Sequence, residues 1–284
     1  MAVVTRFAPS PTGPLHLGHA YSAILAHDMA RATGGRFLLR IEDIDRSRAR
    51  PGWEQAIYDD LAWLGLSWEG PVARQSDRLP LYHDALARLW AAGLLYECTC
   101  SRRDIEEAAS APQEGAVPRL GPDGPIYPGI CRNHPRGGDL PTGALRLDMA
   151  RAAAAPVIFR EEGGGPAGES GTILVAPGDL VEKVGDVVLA RRDMGTSYHL
   201  SVVVDDAAQG ITHVTRGEDL FEATAIHALL QRLLGLPTPT YHHHRLIRDE
   251  AGKRLAKRDD ARAIRKYREE GAAPADIRRM VGLS

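Results

Sequence analysis

Residues 2–19 read AVVTRFAPSPTGPLHLGH, and they join two different backbone patterns. Ala2–Arg6 is typical of a short buried strand and leads into a Pro-rich turn. A helical pattern then extends from about His16–Thr33, and Gly34-Gly35 ends it. Phe37–Ile41 is a second apolar strand. This order of strand, turn, helix and strand predicts the opening of a parallel α/β sheet.

The rest of the chain continues to alternate helices with strands. Apolar residues at helical spacing predict helices at Trp53–Leu64, Arg78–Ala92, Glu222–Leu234, Asp260–Glu270 and Pro274–Val281. Strands are predicted at Ala144–Asp148, at Val187–Leu189 and Ile211–Thr215, both returning to the main sheet, and at a segment that ends with Leu246-Ile247. The Gly-rich segment Glu161–Gly171 is expected to form a loose surface loop.

Composition and charge favour a soluble globular protein of the cytoplasm. Of the 284 residues, 44% are hydrophobic and 25% are charged, and no apolar run approaches the ~20 residues that span a bilayer. Three cysteines cannot all pair, which excludes a disulfide framework. The net charge of −2 gives no case for nonspecific nucleic-acid binding. Arg245–Arg279 is locally basic, which fits either a solvated helix face or a polyphosphate contact.

A histidine pair lies where the first strand gives way to the first helix. A helix N-terminus presents free N–H groups and a partial positive charge, so it suits a phosphate. His16 and His19 would add donors there, and Gly18 would let a phosphate or a flat ring approach the backbone. Histidines near a helix start are also common as plain surface residues.

Arg6 and Glu42 are expected to meet at the carboxyl end of the sheet, where ligands bind in parallel α/β proteins. An arginine fork accepts a carboxylate, and a glutamate accepts an ammonium group. A small zwitterion with an extra carboxylate would therefore match the pair. A structural salt bridge between the two side chains is the alternative.

Cys98, Cys100 and Cys131 fall in a Pro- and Gly-rich segment and suggest a zinc site. His134 completes a Cys-x-x-His pattern and is the better fourth ligand on general chemistry, whereas Tyr127 is a rarer donor. Buried or free cysteines are the alternative. His242-His243-His244 is interpreted as structural, because consecutive residues on a strand point to opposite faces.

Several of these segments together resemble the class I glutamyl-tRNA synthetases. The resemblance rests on the segments 6–19, 40–45, 202–206 and 212–220, and it covers most of the chain except 108–125 and 162–171. It implies an α/β fold with a class I synthetase-like Rossmann catalytic core, a zinc-containing insertion and a short helical C-terminal tail. The implied divisions are 1–94 and 179–247 for the two halves of the core, 95–178 for the insertion, and 248–284 for a Lys/Arg loop with the tail.

The resemblance also assigns roles to single residues. It implies that ATP, with Mg²⁺, binds at His16, Gly18, His19 and Lys257, of which both histidines and Lys257 are catalytic. It implies a glutamate pocket formed by Arg6, Ser10, Glu42, Tyr198 and Arg216. Lys257 matches the second lysine of the family's Lys-Met-Ser-Lys-Ser signature. Arg254, Ala256 and Arg258 depart from that signature, so contacts of Arg254 and Arg258 with ATP stay open.

Short members of this family carry a Cys-x-Cys and Tyr-x-x-x-Cys zinc set, which Cys98, Cys100, Tyr127 and Cys131 match. By this resemblance Tyr127 is the expected fourth ligand of one structural Zn²⁺, with His134 as the alternative. Only 26 residues follow Arg258, so no anticodon-reading domain is expected.

The resemblance to the short members implies an enzyme that activates L-glutamate without tRNA. It would then transfer glutamate to queuosine in the anticodon loop of tRNA(Asp), acting as a cytoplasmic monomer with no membrane contact. Two alternatives are kept: a truncated glutamyl-tRNA synthetase that charges the 3′ end of tRNA(Glu), and a non-catalytic zinc-containing RNA-binding protein.

Overall fold

The computed structural model describes residues 2–110, 119–247 and 262–283. The first part of the chain folds into β1 (Val4–Phe7), α1 (Leu17–Ala32), β2 (Arg36–Ile41), α2 (Pro51–Trp63), β3 (Ala73–Arg74) and α3 (Leu79–Ala91). These bounds confirm the predicted strand, helix and strand at the start, within one or two residues at each end. The two following helices also form where apolar spacing predicts them.

The middle of the chain contains shorter elements. They are β4 (Leu95–Cys98), α4 (Arg102–Ser110), β5 (Leu120–Gly121), β6 (Gly124–Pro125), β7 (Ala144–Leu147), α5 (Met149–Ala152), β8 (Val157–Glu161), β9 (Gly171–Val175), α6 (Pro177–Asp179) and β10 (Val188–Ala190). β8 and β9 form an antiparallel hairpin with Val157 opposite Val175. The Gly-rich segment is therefore the loop of this hairpin, and its end residues, Glu161 and Gly171, belong to the strands.

The last part of the chain folds into α7 (Tyr198–Ala208), β11 (His213–Gly217), α8 (Thr224–Leu234), β12 (Thr240–His244), α9 (Ile264–Glu269) and α10 (Pro274–Val281). β12 corrects the prediction of a strand ending at Leu246-Ile247, because it stops at His244. No helix among the described residues is long and apolar enough to cross a membrane.

Parallel strands form two adjoining groups. β1 pairs with β2, and β2 with β3. β11 pairs with β12, and β12 meets β8 at Tyr241 and Glu161. The groups are joined beside β1, where Thr212 N–H donates to the Val4 carbonyl at 2.9 Å and Val4 N–H donates to Thr212 Oγ1 at 2.8 Å. The strand predicted at Ile211–Thr215 therefore does return to the parallel strands.

The prediction that Val187–Leu189 returns to the main sheet is wrong. The strand forms as β10, but it pairs antiparallel with β7, which also pairs antiparallel with β4. These three strands make a separate sheet. Apolar composition indicates a buried strand but carries no information about its neighbour, which the chain's path determines.

Two large apolar cores hold the helices against the strands. One is built around α1, β1 and β2, where Ala20, Ala23 and Phe37 are fully buried. The other lies under α7 and α8, where Leu200, Leu229 and Leu230 have no exposed surface. Only 6% of the residues are aromatic, so alanine and leucine side chains provide much of the close packing of the helices on the strands.

The turn between α1 and β2 requires both of its glycines. Gly34 has φ +63°, a left-handed conformation that other residues rarely adopt. A Cβ on Gly35 would lie 1.9 Å from the Val3 carbonyl oxygen. The close approach lets Arg36 N–H donate to that oxygen at 2.9 Å, and this bond aligns β2 beside β1.

Candidate active site

A cleft of about 610 Å³ opens at the carboxyl ends of the parallel strands. Its walls contain all eight of the predicted ATP- and glutamate-binding residues that the structure describes: Arg6, Ser10, His16, Gly18, His19, Glu42, Tyr198 and Arg216. They come from positions more than 200 residues apart in the chain. Lys257, Arg254 and Arg258 lie outside the described residues.

His16 and His19 form the N-terminal cap of α1 as well as part of the cleft wall. His16 Nδ1 accepts from Gly18 N–H at 3.1 Å, and His19 Nδ1 accepts from His16 N–H at 3.1 Å. Because each Nδ1 is an acceptor, each ring carries its proton on Nε2. The helix start therefore presents two imidazole N–H donors beside its own backbone, which is suitable chemistry for a phosphate.

Arg6 is held by a carboxylate that the sequence analysis did not single out. Arg6 Nε donates to Asp206 Oδ1 at 3.0 Å, and Arg40 Nη1 donates to the same oxygen at 2.7 Å. Burial would raise the pKa of Asp206, but Arg6 and Arg40 outweigh it and lower the pKa. These contacts replace the salt bridge between Arg6 and Glu42, which was the structural alternative.

Glu42 instead accepts from Arg40 Nη2 at 3.2 Å. Arg40 is completely buried, and it bridges Glu42 and Asp206. Burial raises the pKa of Glu42 despite the neighbouring arginines. A buried carboxyl group that faces a cleft in this way suits an ammonium group, which would restore its preference for the charged form.

Arg216 is buried on β11 and is surrounded by neutral acceptors. Its Nε donates to His243 Nε2 at 3.1 Å, its Nη1 to His227 Nδ1 at 2.9 Å, and its Nη2 to Thr224 Oγ1 at 2.7 Å. Within the described ranges, no carboxylate lies at ion-pair distance from Arg216. Its charge is therefore available to an anionic ligand.

Tyr198 begins α7 next to this arginine, and burial raises the pKa of its phenol. The sequence predicts structural roles for His243 and His244. The alternation along β12 is as expected, but His243 contacts Arg216 and His244 lines the cleft, where its Nε2 lies 2.7 Å from Ser22 Oγ. Only the fold reveals these roles, because the partners are distant in sequence.

A second cluster forms where the three cysteines meet. The Sγ atoms of Cys98, Cys100 and Cys131 lie within 4.8 Å of one another. Tyr127 Oη lies 3.6 Å from Cys98 Sγ and 3.3 Å from Cys100 Sγ. His134 Nδ1 is hydrogen-bonded to the Glu97 carbonyl at 3.0 Å. The structure thus brings together the four predicted metal ligands, with Tyr127 rather than His134 among the thiols.

The surroundings of Cys131 and Cys100 shift the pKa values of these two thiols in opposite directions. Burial raises the pKa of Cys131, but hydrogen bonds from Tyr127 and Thr99 outweigh it and lower the pKa to about 6. Burial raises the pKa of Cys100 to about 11. The guanidinium of Arg146, which the sequence analysis missed, donates to Cys98 Sγ at 3.4 Å and covers the Tyr127 ring. A positive neighbour of this kind stabilises a thiolate cluster.

Comparison with known proteins identifies the family. The family model for class I tRNA synthetases (E and Q), catalytic domain, matches residues 2–121 and 171–284. A glutamyl-Q tRNA(Asp) synthetase from Rhodobacter capsulatus is 71% identical over 284 residues, which cover 99% of this chain and 100% of that protein. The chain belongs to the glutamyl-Q tRNA(Asp) synthetase family.

More distant relatives agree with this assignment. A glutamyl-Q tRNA(Asp) synthetase from Nocardia farcinica is 44% identical over 96% of this chain and 81% of its own length. The crystal structure of a glutamate tRNA ligase from Elizabethkingia meningosepticum in complex with its amino acid is similar with a TM-score of 0.78 and 29% identity. The match covers 99% of this chain but 60% of that one, so the chain spans about three fifths of the ligase.

Proposed function

We propose that this chain activates L-glutamate with ATP and transfers it to queuosine in the anticodon loop of tRNA(Asp). The observation that carries this proposal is the pairing of two features in one cleft. A helix N-terminus with two imidazole donors suits a phosphate, and a buried arginine without a carboxylate partner among the described residues suits an amino acid's carboxylate. Membership in the glutamyl-Q tRNA(Asp) synthetase family supports this acceptor.

In the first proposed step, the glutamate α-carboxylate attacks the α-phosphorus of ATP and pyrophosphate leaves. ATP binds with Mg²⁺, which offsets phosphate charge. His16 and His19 donate from Nε2 to the phosphates, while Gly18 lets them approach the backbone. Lys257 supplies a cation to the leaving pyrophosphate. The enzyme thus acts by positioning and electrostatics and forms no covalent intermediate.

The glutamate pocket divides the three charges of the substrate among different side chains. Arg6 meets the side-chain carboxylate, and Arg216 contributes to holding a carboxylate. Glu42 and Ser10 receive the ammonium group, and Tyr198 forms a wall. Since Arg6 is already paired with Asp206, its orientation is established before substrate arrives.

In the second proposed step, a hydroxyl of the queuosine cyclopentenediol attacks the acyl carbon, and AMP leaves with the bond electrons. The anticodon loop would occupy the same cleft for this transfer. The protein is proposed to act as a monomer in the cytoplasm, with a core at 1–94 and 179–247, an insertion at 95–178, and a loop and tail at 248–284.

The cysteine cluster is proposed to hold one structural Zn²⁺ through Cys98, Cys100, Tyr127 and Cys131. Three sulfur donors and one phenol oxygen at these separations fit a four-coordinate site without a water position. Zinc bound there would join β4 to the segment around residues 127–131 and stabilise it.

The test is glutamate-dependent ATP–pyrophosphate exchange without tRNA, with aspartate and glutamine as controls. Exchange with glutamate alone is the expected result. Charging of queuosine-containing tRNA(Asp), compared with queuosine-free tRNA(Asp), then tests the acceptor. Exchange that requires tRNA(Glu) would favour a truncated glutamyl-tRNA synthetase, and no exchange under any condition would favour a non-catalytic RNA-binding protein.

A further inference from the structure

Two arms of hydrogen bonds lead outward from Arg216, and each ends at a carboxylate. In the first arm, Arg216 Nε donates to His243 Nε2 at 3.1 Å, and His243 Nδ1 lies 2.6 Å from Glu161 Oε2. The other oxygen, Glu161 Oε1, accepts the backbone N–H groups of His243 at 2.9 Å and Gly163 at 2.8 Å. Both side chains of this arm are fully buried.

The direction of each hydrogen bond follows from the arginine. A guanidinium has only donors, so His243 Nε2 must offer a lone pair. The imidazole proton is therefore on Nδ1, where Glu161 accepts it. Glu161 cannot rotate to change this pattern without abandoning two backbone donors. Burial also lowers the pKa of His243, which favours the neutral ring.

The second arm follows the same logic through two rings. Arg216 Nη1 donates to His227 Nδ1 at 2.9 Å, so His227 carries its proton on Nε2. That nitrogen lies 3.0 Å from His199 Nδ1, and His199 Nε2 lies 3.3 Å from Asp123 Oδ1. One arginine thus sets the proton position of three histidines.

The histidine contacts of Arg216 affect how much of its positive charge a ligand can meet. A carboxylate in direct contact with Arg216 would orient it but would also offset its positive charge. Neutral imidazoles orient the guanidinium while leaving its charge for a ligand. The carboxylates of Glu161 and Asp123 stand one or two rings away, where they orient the imidazoles rather than the arginine.

We infer that Glu161 and His243 are positioning residues for glutamate recognition: Glu161 fixes the tautomer of His243, and this tautomer aligns Arg216 with the substrate carboxylate. The inference rests on the proposed function of the cleft. The second arm supports Arg216 from its other side in the same manner.

Glu161→Gln tests the inference with a nearly isosteric change. Its amide oxygen must take the place of Oε1 to accept two backbone N–H groups, so its NH₂ group faces His243 Nδ1. The proton of His243 then moves to Nε2 and points at Arg216 Nε–H, donor against donor. We expect the KM for glutamate in pyrophosphate exchange to rise at least about tenfold, with the KM for ATP within about twofold of wild type.

Two further variants distinguish a change of the His243 tautomer from a general disruption of the structure. Glu162→Gln is the matched control, because Glu162 is the exposed neighbour that pairs with Arg160, and its KM for glutamate should not change. His243→Gln introduces an amide that can turn its oxygen to Arg216 whatever residue occupies position 161. Added to Glu161→Gln, it should restore the KM for glutamate to within about threefold of wild type.

The tautomer itself is measured by long-range ¹H–¹⁵N correlation on histidine-labelled protein, with His243→Gln to assign the signal. We expect Nδ1–H in the wild type and Nε2–H in Glu161→Gln. An Nε2–H form in the wild type would overturn the inference, as would a folded Glu161→Gln protein with unchanged glutamate KM or equal losses for ATP. Absence of glutamate-dependent exchange in the wild type would instead refute the proposed function, and the NMR result would still decide the histidine arrangement.

Discussion

Asp206 accepts a hydrogen bond from Arg6 Nε at 3.0 Å, so the arginine at the end of β1 is oriented by a carboxylate from α7. The two residues are 200 positions apart in the chain. The contact links the first strand to the second half of the fold inside the cleft. It also offsets part of the cost of burying the charged Arg6 side chain, which is only 7% exposed.

Asp206→Asn should lower both stability and glutamate affinity. The change removes one negative charge between Arg6 and the fully buried Arg40. We expect the free energy of unfolding to fall by about 3 kcal/mol, measured by urea denaturation. Glu107→Gln, which breaks an exposed pair with Arg103 on α4, is the control and should cost less than about 0.5 kcal/mol. Equal effects of both variants would contradict a specific role for Asp206.

Tyr127→Phe should weaken zinc binding without removing it. The phenol oxygen is one of four proposed ligands, and its loss leaves three thiols. We expect zinc affinity to fall about 10- to 100-fold, measured by metal analysis after dialysis against graded chelator. His134→Ala should bind zinc with wild-type affinity, because the His134 side chain is hydrogen-bonded to the Glu97 carbonyl instead. Zinc loss in His134→Ala but not in Tyr127→Phe would reverse the ligand assignment.

Lys257→Ala should lower the rate of adenylation far more than it weakens glutamate binding. A cation that meets the leaving pyrophosphate acts mainly in the transition state, so kcat carries the loss. We expect kcat for pyrophosphate exchange to fall at least about 100-fold, with the KM for glutamate within about threefold. Lys266→Ala on α9, where Lys266 pairs with Glu269, is the control with unchanged kcat. Parallel losses in kcat and glutamate affinity would rule out the leaving-group role.

Asp60 should make the protein less stable as the pH rises from about 4 to about 6. Burial, with repulsion from Asp59, raises the pKa of Asp60 from 3.8 to about 6. Between these values the folded state holds a proton that the unfolded state has lost, so stability declines with pH. Asp60→Asn should remove this decline and raise the free energy of unfolding at pH 7 by on the order of 1–2 kcal/mol.

Urea denaturation at a series of pH values provides the measurement. Asp59→Asn is the matched control, since Asp59 is exposed on the same helix, and most of the pH-dependent decline should remain. A wild-type protein whose stability rises steadily between pH 4 and pH 6, with no difference in Asp60→Asn, would disprove the assignment.

Local signals predicted the first elements well. His16, Gly34 and Gly35 mark the ends of α1, and their effects depend on the backbone within a few residues. The residues of the cleft wall were also predictable, because they lie in segments that resemble the family, and the resemblance implies a role for each of them. Eight of the predicted residues accordingly line one cleft.

The missed features depend on contacts between distant parts of the chain. The partner strand of β10 is determined by how the chain crosses the domain, and apolar composition cannot reveal it. His243 acquires its role only because β11 brings Arg216 beside it, and Glu161 comes from a hairpin 82 residues earlier. The spacing of apolar residues and the strand or helix propensity of single residues do not reveal which distant segments will meet.

The join between Val4 and Thr212 also constrains how the protein is made. β1 leaves the ribosome well before its neighbour, which is synthesised 208 residues later. At 5–20 residues per second, roughly 10–40 s separate the two. Until then one edge of β1 stays open and the cleft lacks a wall. A nascent chain is therefore exposed to misassociation, and it gains the capacity to bind substrate only after β11 has been synthesised.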